Sequence, residues 1–437
     1  MGQPGGPMGQ PGGPMGQPFP DLVEESWDEA AFLWKRWEAD LASPVRTLDE
    51  VESWSEDRLQ GALDGVRVAG EHLVRIARSA LGGRDPARLT TAAHLLAARS
   101  LPEAREELAT AIRDATGPRL WSMIRGIQVA ELDATFAPVA GALSSAGLEH
   151  LAALCRLKSF RRSPPGREAA TVFESGAPPL QVEALCLLRH ARDDTAGKYI
   201  TAALQSDSPA VRRAAIECGL QQRQQGAWEA VRKLVHERNP ESGPFLAILA
   251  ALGSPEDKQG VIAALREPAL QRPALLALVH IGTPEAVEIC LQAMSQPPLA
   301  RAAGAAYCAI TGADLQRDGL AAPEPPEADS LPPLKADLSE ANIVPAPHEL
   351  WSLPDASRVR GHWQAANPGL AAGVRHLYGK PVSLEVLVAA IEGGPMLHRP
   401  ELINELTIRS GGRYDVEPRA FAQVQRRMMS AGRVAMR

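Results

Sequence analysis

The stretch at residues 207–215, DSPAVRRAA, decides the fold of this chain. Ser208 can cap a helix whose first turn contains Pro209, because a serine oxygen accepts from free amides and proline at that place loses no hydrogen bond. The residues that then face inward are Val211, Ala214 and Ala215. The stretch therefore predicts the start of a short helix with a narrow apolar face.

Short Ala/Leu-rich stripes of this kind recur about every thirty residues between residues 88 and 312. They end at Ala98, Gln128, Leu157, Leu188, Leu220, Leu252, Ile281 and Ile310. A single helical hairpin cannot bury its apolar face alone and must stack on a copy of itself. We therefore predict an all-α fold, an α-solenoid of helical hairpins with a helical cap before it and a helical segment after it.

Composition shifts divide the chain into five predicted segments. We expect a disordered Gly/Pro/Gln tail at 1–20, because it repeats MGQPGGP and has little surface to bury. A helical cap at 21–84 and the repeat solenoid at 85–313 follow. Residues 314–350 are predicted to be an acidic, proline-rich linker, and 351–437 a helical domain that could form a divergent closing repeat.

The predicted cap has three local signals. Trp27, Trp34 and Trp37 fall on one face of its first helix. Thr47 with Glu50, and Ser53 with Glu56, each have the spacing of a capping box. Three glycines are expected to allow close approach of another backbone: Gly61, Gly65 and Gly70.

Charge and composition argue against several classes of partner. The net charge of −6 and the pI of about 6.0 leave no overall positive field for a nucleic-acid backbone. No apolar run approaches the roughly 20 residues that span a bilayer, and the start lacks the features of a secretion signal. We expect a cytoplasmic protein that binds neither nucleic acid nor membrane.

The cysteines indicate packing positions and not a metal site. Cys155, Cys186 and Cys218 are separated by 31 and 32 residues, so they occupy one equivalent position in three successive repeats. Small buried side chains in a helix interface explain that spacing better than metal or redox chemistry.

A basic connection interrupts the repeats around the sequence SPPG at 163–166. Five cations cluster there: Arg156, Lys158, Arg161, Arg162 and Arg167. The cluster could contact an acidic protein or a phosphate, but we expect a solvated loop, because the prolines and glycine break the helical hairpin there.

We found no phosphate-binding loop, zinc-binding spacing or nucleophile elbow in the sequence. We therefore expect no cofactor and no enzymatic activity. One cluster was nominated as partner-binding because Trp, Tyr and Arg concentrate binding energy at interfaces. It consists of Trp351, Arg360, Trp363, Arg375 and Tyr378. The alternative is that these residues anchor the linker onto the solenoid.

Residues 207–215 resemble the HEAT family, particularly the short bacterial repeats similar to those of phycobilisome lyases. The resemblance to its D-x-x-P-x-V-R-x-A-A pattern implies a structural ladder in which Asp207 and Arg212 pair along the stack. Two further stretches near the start, 28–34 (DEAAFLW) and 63–70 (LDGVRVAG), are similar to an uncharacterised proteobacterial family of HEAT-like proteins, as is 373–381 (GVRHLYGKP) near the end. Residues 394–399 depart from that family, which has a Gln/Arg-rich stretch there.

Relatives in that family occur beside type VI secretion genes, which implies an accessory, adaptor or immunity role. The expected function is accordingly a non-enzymatic scaffold that holds another protein. The alternatives left open are a HEAT-like lyase or DNA-glycosylase-like enzyme, and an immunity protein that neutralises a toxin.

Overall fold

Helices make up nearly all of the regular structure in this protein. The computed structural model describes residues 20–70, 72–98, 102–130, 136–323, 347–366 and 369–434. In these ranges the only named strands form one antiparallel hairpin of β1 (His376–Leu377) and β2 (Lys380–Pro381). The predicted all-α fold class is confirmed. The predicted tail, apart from Pro20, and residues 324–346 of the predicted linker lie outside the described residues.

The helices of the first third of the chain are short and closely spaced. They are α1 (Pro20–Asp40), α2 (Leu48–Val51), α3 (Asp57–Arg67), α4 (His72–Leu81), α5 (Pro86–Ala97), α6 (Pro102–Asp114), α7 (Gly117–Gln128) and α8 (Phe136–Ser145). A π-helix (Glu52–Glu56) joins α2 to α3.

The middle of the chain continues this series of helices. Its helices are α9 (Leu148–Phe160), α10 (Arg167–Glu174), α11 (Pro178–Leu188), α12 (Thr195–Ala203), α13 (Pro209–Gln221), α14 (Gln225–His236), α15 (Leu246–Leu252), α16 (Pro255–Ala263), α17 (Gln271–Ile281), α18 (Pro284–Ala293) and α19 (Pro297–Thr311). The last four are α20 (Ala356–Ala366), α21 (Leu384–Gly393), α22 (Arg399–Ser410) and α23 (Ala422–Val434). Short 3₁₀ turns occupy Pro240–Phe245, Ala264–Arg266, Pro347–Leu350 and Met396–His398.

Each predicted stripe lies on a helix. The eight stripes coincide with the alternate helices α5, α7, α9, α11, α13, α15, α17 and α19, and each stripe ends within three residues of its helix end. The 3.6-residue apolar period and the start signals are local properties, which is why sequence alone located these helices.

The chain divides into two compact units. Unit 1 comprises residues 1–36 and 57–142, and unit 2 comprises residues 37–56 and 143–437. The boundaries after residues 36 and 56 fall inside the predicted cap, 21–84. The boundary after residue 142 falls inside the predicted solenoid, 85–313.

In unit 1 helices α5 and α7 cross at close range. A Cβ added to Gly126 would lie 2.2 Å from the Thr90 carbonyl oxygen, so only glycine allows this approach. The expectation for the three cap glycines is wrong, because none of them faces a close backbone. A Cβ at Gly61 would meet no atom within 4 Å, at Gly65 it would meet the Ser26 side chain, and Gly70 has a φ of +58°.

In unit 2 alternate helices pack on one another in chain order. Helix α9 packs on α11 and α11 on α13, while α15 packs on α17 and α17 on α19. The 3₁₀ turn at Pro240–Phe245 separates these two sets by packing against both α14 and α15. The C-terminal helix α22 lies on α13 and α15, and α20 lies on α18.

The N-terminal strip of unit 2, residues 37–56, is held by the C-terminal helices α21 and α23. The backbone amides of Met396 and Leu397 donate to the carbonyl oxygens of Arg46 and Ser43 at 2.8 and 2.9 Å. Residues 37–56 are therefore packed and hydrogen-bonded against the C-terminal part of unit 2. None of the described helices combines the length and the apolar character needed to cross a bilayer.

Candidate functional site

Trp351, the first nominated residue, is buried with 7% exposure. Its indole Nε1 donates to the Pro44 carbonyl oxygen at 3.2 Å, and its own carbonyl oxygen accepts from Arg301. The side chain therefore fixes the segment after the linker against both the strip 37–56 and α19.

Tyr378 lies in the turn between β1 and β2, with a φ of +50°. Its amide donates to the Ala309 carbonyl oxygen at 2.6 Å, which ties the turn to α19. Burial raises the pKa of the Tyr378 phenol to about 12, so the hydroxyl stays protonated.

Arg375 belongs to a buried ionic cluster. Its guanidinium forms a bidentate pair with the carboxylate of Glu405, whose side chain has no exposed surface, and Arg409 joins the same carboxylate at 2.7 Å. Burial alone would raise the pKa of Glu405, but hydrogen bonds from His280 and Arg375 hold it well below its usual range. Arg375 thus compensates a charge inside the protein.

Arg360 and Trp363 lie elsewhere, on α20. The Trp363 indole donates to Glu288 Oε1 at 2.6 Å, and Arg360 lies 3.5 Å from the Leu291 carbonyl oxygen, both on α18. The structure therefore brings only Trp351 and Tyr378 of the five nominated residues to one cavity, and each of the five contacts another part of unit 2.

The cavity shared by Trp351 and Tyr378 has a volume of about 290 Å³. Its walls are mainly apolar and come from the strip 37–56, α19 and the residues just after it, and the segments around residues 351, 378 and 395–398. They include Pro44, Val45, Ala305, Ala309, Leu315 and Pro395. Val45 at its edge is 48% exposed, so the cavity opens to solvent beside an apolar side chain.

A second cavity adjoins this one, and a third adjoins the second. A cavity of about 380 Å³ shares His398 with the first and is walled by Pro273, Leu276 and Leu397. A third, of about 250 Å³, shares Pro244 and Glu401 with the second and is the most polar. We call the three together the C-terminal groove, because each is bordered by residues between 395 and 418 on one side and by repeat helices on the other.

The histidine shared by the first two cavities is uncharged. His398 is 8% exposed, and burial lowers the pKa of its imidazole to about 4, so the ring is neutral at physiological pH. The first two cavities have mainly apolar walls with a few polar side chains, Arg272 and Glu401 among them, and this composition is typical of binding sites.

The polar end of the groove is built around Arg162, one of the five cations in the predicted basic connection. Its Nε donates to Asp415 Oδ1 at 3.1 Å, its Nη2 donates to the Val416 carbonyl oxygen at 2.7 Å, and Glu417 accepts from Nη1. Lys158 and Arg156 pair with Glu168 and Glu183. The acidic partner of the basic connection therefore includes residues 415–417 of the same chain.

Ser159, His190 and Asp415 form a chain that has the residue types of a catalytic triad. His190 Nδ1 lies 3.0 Å from Asp415 Oδ2, and Ser159 Oγ lies 3.4 Å from His190 Nε2. However, the serine hydroxyl donates to the Cys186 carbonyl oxygen at 2.7 Å, and Arg189 Nε donates to His190 Nε2 at 3.1 Å. The imidazole therefore has no free lone pair for the serine proton, and this arrangement is not that of an activated nucleophile.

The implied pairing of Asp207 with Arg212 does not form. Arg212 instead binds both carboxylate oxygens of Glu241, at 2.6 and 2.9 Å, while Asp207 is exposed. Glu241 is placed at the start of the 3₁₀ turn by the cap that Asn239 provides, so its carboxylate reaches back to α13.

Arg212 and Glu241 belong to a set of pairs about one repeat apart. The others are Arg78 with Glu107, Arg156 with Glu183, and Arg238 with Glu267, separated by 29, 27 and 29 residues. A search for Arg and Glu at the repeat period would have found this set in the sequence.

The three periodic cysteines have the chemistry expected of packing residues. Burial raises the pKa of the Cys186 thiol to about 11 and raises those of Cys155 and Cys218 further. Among the described residues there is no group of three or more His, Cys, Asp or Glu side chains that could hold a metal ion.

No known protein-family model matches this chain, and no curated protein matches it significantly.

Proposed function

We propose that this protein is a non-enzymatic adaptor that binds an extended segment of a partner protein in the C-terminal groove. The observation that carries the proposal is that three cavities lie side by side in unit 2, neighbouring ones sharing lining residues, and that two of the three are mostly apolar. A channel bordered by several successive repeats suits a polypeptide better than a compact small molecule, because repeat surfaces present extended binding faces.

The edge of the groove, taken as the chain segments that carry the lining residues Val45 and Trp351, has exposed side chains of types that supply binding energy. Val45 and Leu350 are each 48% exposed, and Trp54 is 62% exposed with the Arg46 guanidinium 5.5 Å from its ring centre. Tryptophan and arginine are enriched among the residues that dominate interface affinity. We infer that a partner contacts this edge as it enters the groove.

The resemblance to HEAT-like proteins encoded beside type VI secretion genes supports a narrower proposal. The adaptor would then be accessory to that secretion system, and its partner would be another component of it. This narrower proposal rests on the resemblance alone.

Site-specific crosslinking in the native cell tests the binding site. A photoreactive amino acid at Val45 or Leu276, both in the groove, should attach the same protein, because both positions border one channel. The same group at Val68, which is 69% exposed in unit 1, is the control and should not attach that protein. Equal crosslinking at Val68, or different proteins at the two groove positions, would refute the proposal.

A quantitative test follows once the crosslinked protein is purified. Val45→Asp should weaken its binding at least about tenfold, since a carboxylate would be desolvated at an apolar contact. Val68→Asp places the same charge on another exposed valine and should leave affinity within about twofold. If both variants bind equally, the edge of the groove is not the contact.

A further inference from the structure

Unit 1 contains a cavity of its own that the proposed function does not use. Its volume is about 490 Å³, and it lies between the start of α1, the helix α4 and the loop that leads into α5. Its apolar wall is formed by Val23, Trp27, Ala69, Ile76 and Ala80. Val23 and Trp27 are 4% and 2% exposed, so the floor is part of the core of unit 1.

The rim of this cavity carries cations from separate elements. Arg75 is on α4 and Arg84 is in the loop before α5; both are exposed, and neither has a hydrogen-bond or ion-pair partner among the described residues. Arg88, the third arginine of the rim, is paired with Asp28.

The acids of the rim do not balance these cations. Asp85 caps α5, accepting from the amides of Ala87 and Arg88 at 2.9 and 3.0 Å, and Lys35 lies 3.9 Å from the same carboxylate. Those amide hydrogen bonds hold the pKa of Asp85 below its usual value, so it stays ionised and engaged. Glu24 is the other rim carboxylate, exposed and without a partner among the described residues.

We propose that this cavity binds a small organic carboxylate with an apolar body. The apolar body lies against Trp27 and Ile76, and the carboxylate lies at the rim between Arg75 and Arg84. The volume falls in the range of about 300–1,000 Å³ that small-molecule sites occupy. Arginine forms planar, bidentate hydrogen bonds with carboxylates, which favours an acid over a neutral molecule of the same shape.

The charges of the rim make the proposal sharply testable. A carboxylate ligand is attracted by Arg75 and Arg84 and repelled by Glu24, whereas a neutral ligand is indifferent to all three. Arg75→Gln and Arg84→Gln should therefore weaken an acid, and Glu24→Gln should strengthen it. Because these side chains are exposed, each effect should be moderate, about two- to tenfold.

The experiment is calorimetric titration of the full chain with octanoate and with 1-octanol. We expect octanoate to bind more tightly than 1-octanol, each arginine variant to lose affinity for octanoate, Glu24→Gln to gain it, and 1-octanol to be unaffected. Arg113→Gln, an exposed arginine on α6, is the matched control and should bind both probes as the unaltered protein does.

A cavity-filling variant, Ala80→Phe, should remove binding of both probes, with circular dichroism confirming that it folds. If Ala80→Phe does not fold, the three rim variants still decide the outcome. Absence of octanoate binding, equal affinity for octanoate and 1-octanol, or no response to the charge of the rim would each overturn the proposal. An apolar side chain of a partner protein as the natural occupant predicts the second of these results.

Discussion

Replacing Glu56 with glutamine should remove a pH dependence from the docking of α23. The carboxylate of Glu56 is 5% exposed and accepts the Ala422 amide at 2.9 and 3.1 Å, at the first residue of α23. The Trp37 indole donates to the same carboxylate at 2.9 Å, and the Phe421 ring packs 4.7 Å from that of Trp37. Glu56 therefore connects the strip 37–56 to the last helix of the chain.

The magnitude follows from the pKa of Glu56. Burial raises it from 4.5 to about 7, against the opposing effect of the hydrogen bonds from Ala422 and Trp37. The docked state thus binds a proton between these two pH values that the undocked state has lost. Docking is strongest below about pH 4.5, weakens as the pH rises to about 7, and is constant above it. A shift of about 2.5 units corresponds to about 3 kcal/mol, or two to three orders of magnitude in the docking equilibrium.

Hydrogen exchange of the amides in α23, corrected for intrinsic exchange rates, measures this equilibrium. In the unaltered protein, protection should fall by nearly two orders of magnitude between about pH 5 and about pH 8. Glu56→Gln should be nearly flat over the same interval, because glutamine has no proton to lose. The control is Glu229→Gln, which removes an exposed carboxylate on α14 and should leave the decline as steep as in the unaltered protein. An equally steep decline in Glu56→Gln would refute the reasoning.

Three further predictions concern packing, charge and reactivity. Gly126→Ala should destabilise unit 1 by about 1–3 kcal/mol in urea unfolding, because the added Cβ would lie 2.2 Å from a carbonyl oxygen of α5. Gly61→Ala adds a Cβ that meets nothing within 4 Å and should stabilise unit 1 by up to about 1 kcal/mol. Arg162→Gln should lower the unfolding free energy by about 1–3 kcal/mol, because buried Glu417 loses its ion pair while Asp415, which is 28% exposed, keeps its contact with His190. Arg213→Gln, in an exposed pair, should change the unfolding free energy by less than about 1 kcal/mol. Cys186 should resist alkylation by iodoacetamide at about pH 8 in the folded protein and react only after unfolding, as followed by mass spectrometry; rapid labelling of the folded protein would contradict its raised pKa.

The two predicted capping boxes show how far local signals reach. Thr47 and Glu50 form one as expected, with the Thr47 side chain accepting from the Glu50 amide and the Glu50 carboxylate accepting from the Thr47 amide. Ser53 and Glu56 have the same spacing but do not form one. Ser53 donates to the Asp49 carbonyl oxygen within a continuous helix, and the Glu56 carboxylate is used by an amide 366 residues away.

The C-terminal groove could not be predicted from the sequence, because it too depends on contacts between residues far apart in the chain. Its walls come from segments that are distant in the chain, as the hydrogen bond between Trp351 and Pro44, 307 residues apart, illustrates. Residue type alone indicated Trp351 and Tyr378, because large amphipathic side chains are conspicuous in a chain with 4% aromatic content. The same argument grouped Arg375 with them, although its charge is needed by Glu405 inside the fold.

The arginine and glutamate pairs about one repeat apart contribute little to the free energy of unfolding, but they can set the register between neighbouring hairpins. Both side chains of the Arg238 and Glu267 pair are more than a third exposed, and such pairs stabilise a protein by at most about 1 kcal/mol. Their separation of 27 to 29 residues is nevertheless close to the stripe spacing of 29 to 32 residues, so each pair forms only when one hairpin lies beside the next with the correct offset. The apolar faces of the hairpins are rich in alanine and leucine and resemble one another, which leaves sliding or skipping of a repeat weakly opposed by packing. We infer that the pairs set the register between neighbouring hairpins while burial of the stripes supplies the stability, and that the walls of the C-terminal groove meet because that register is kept.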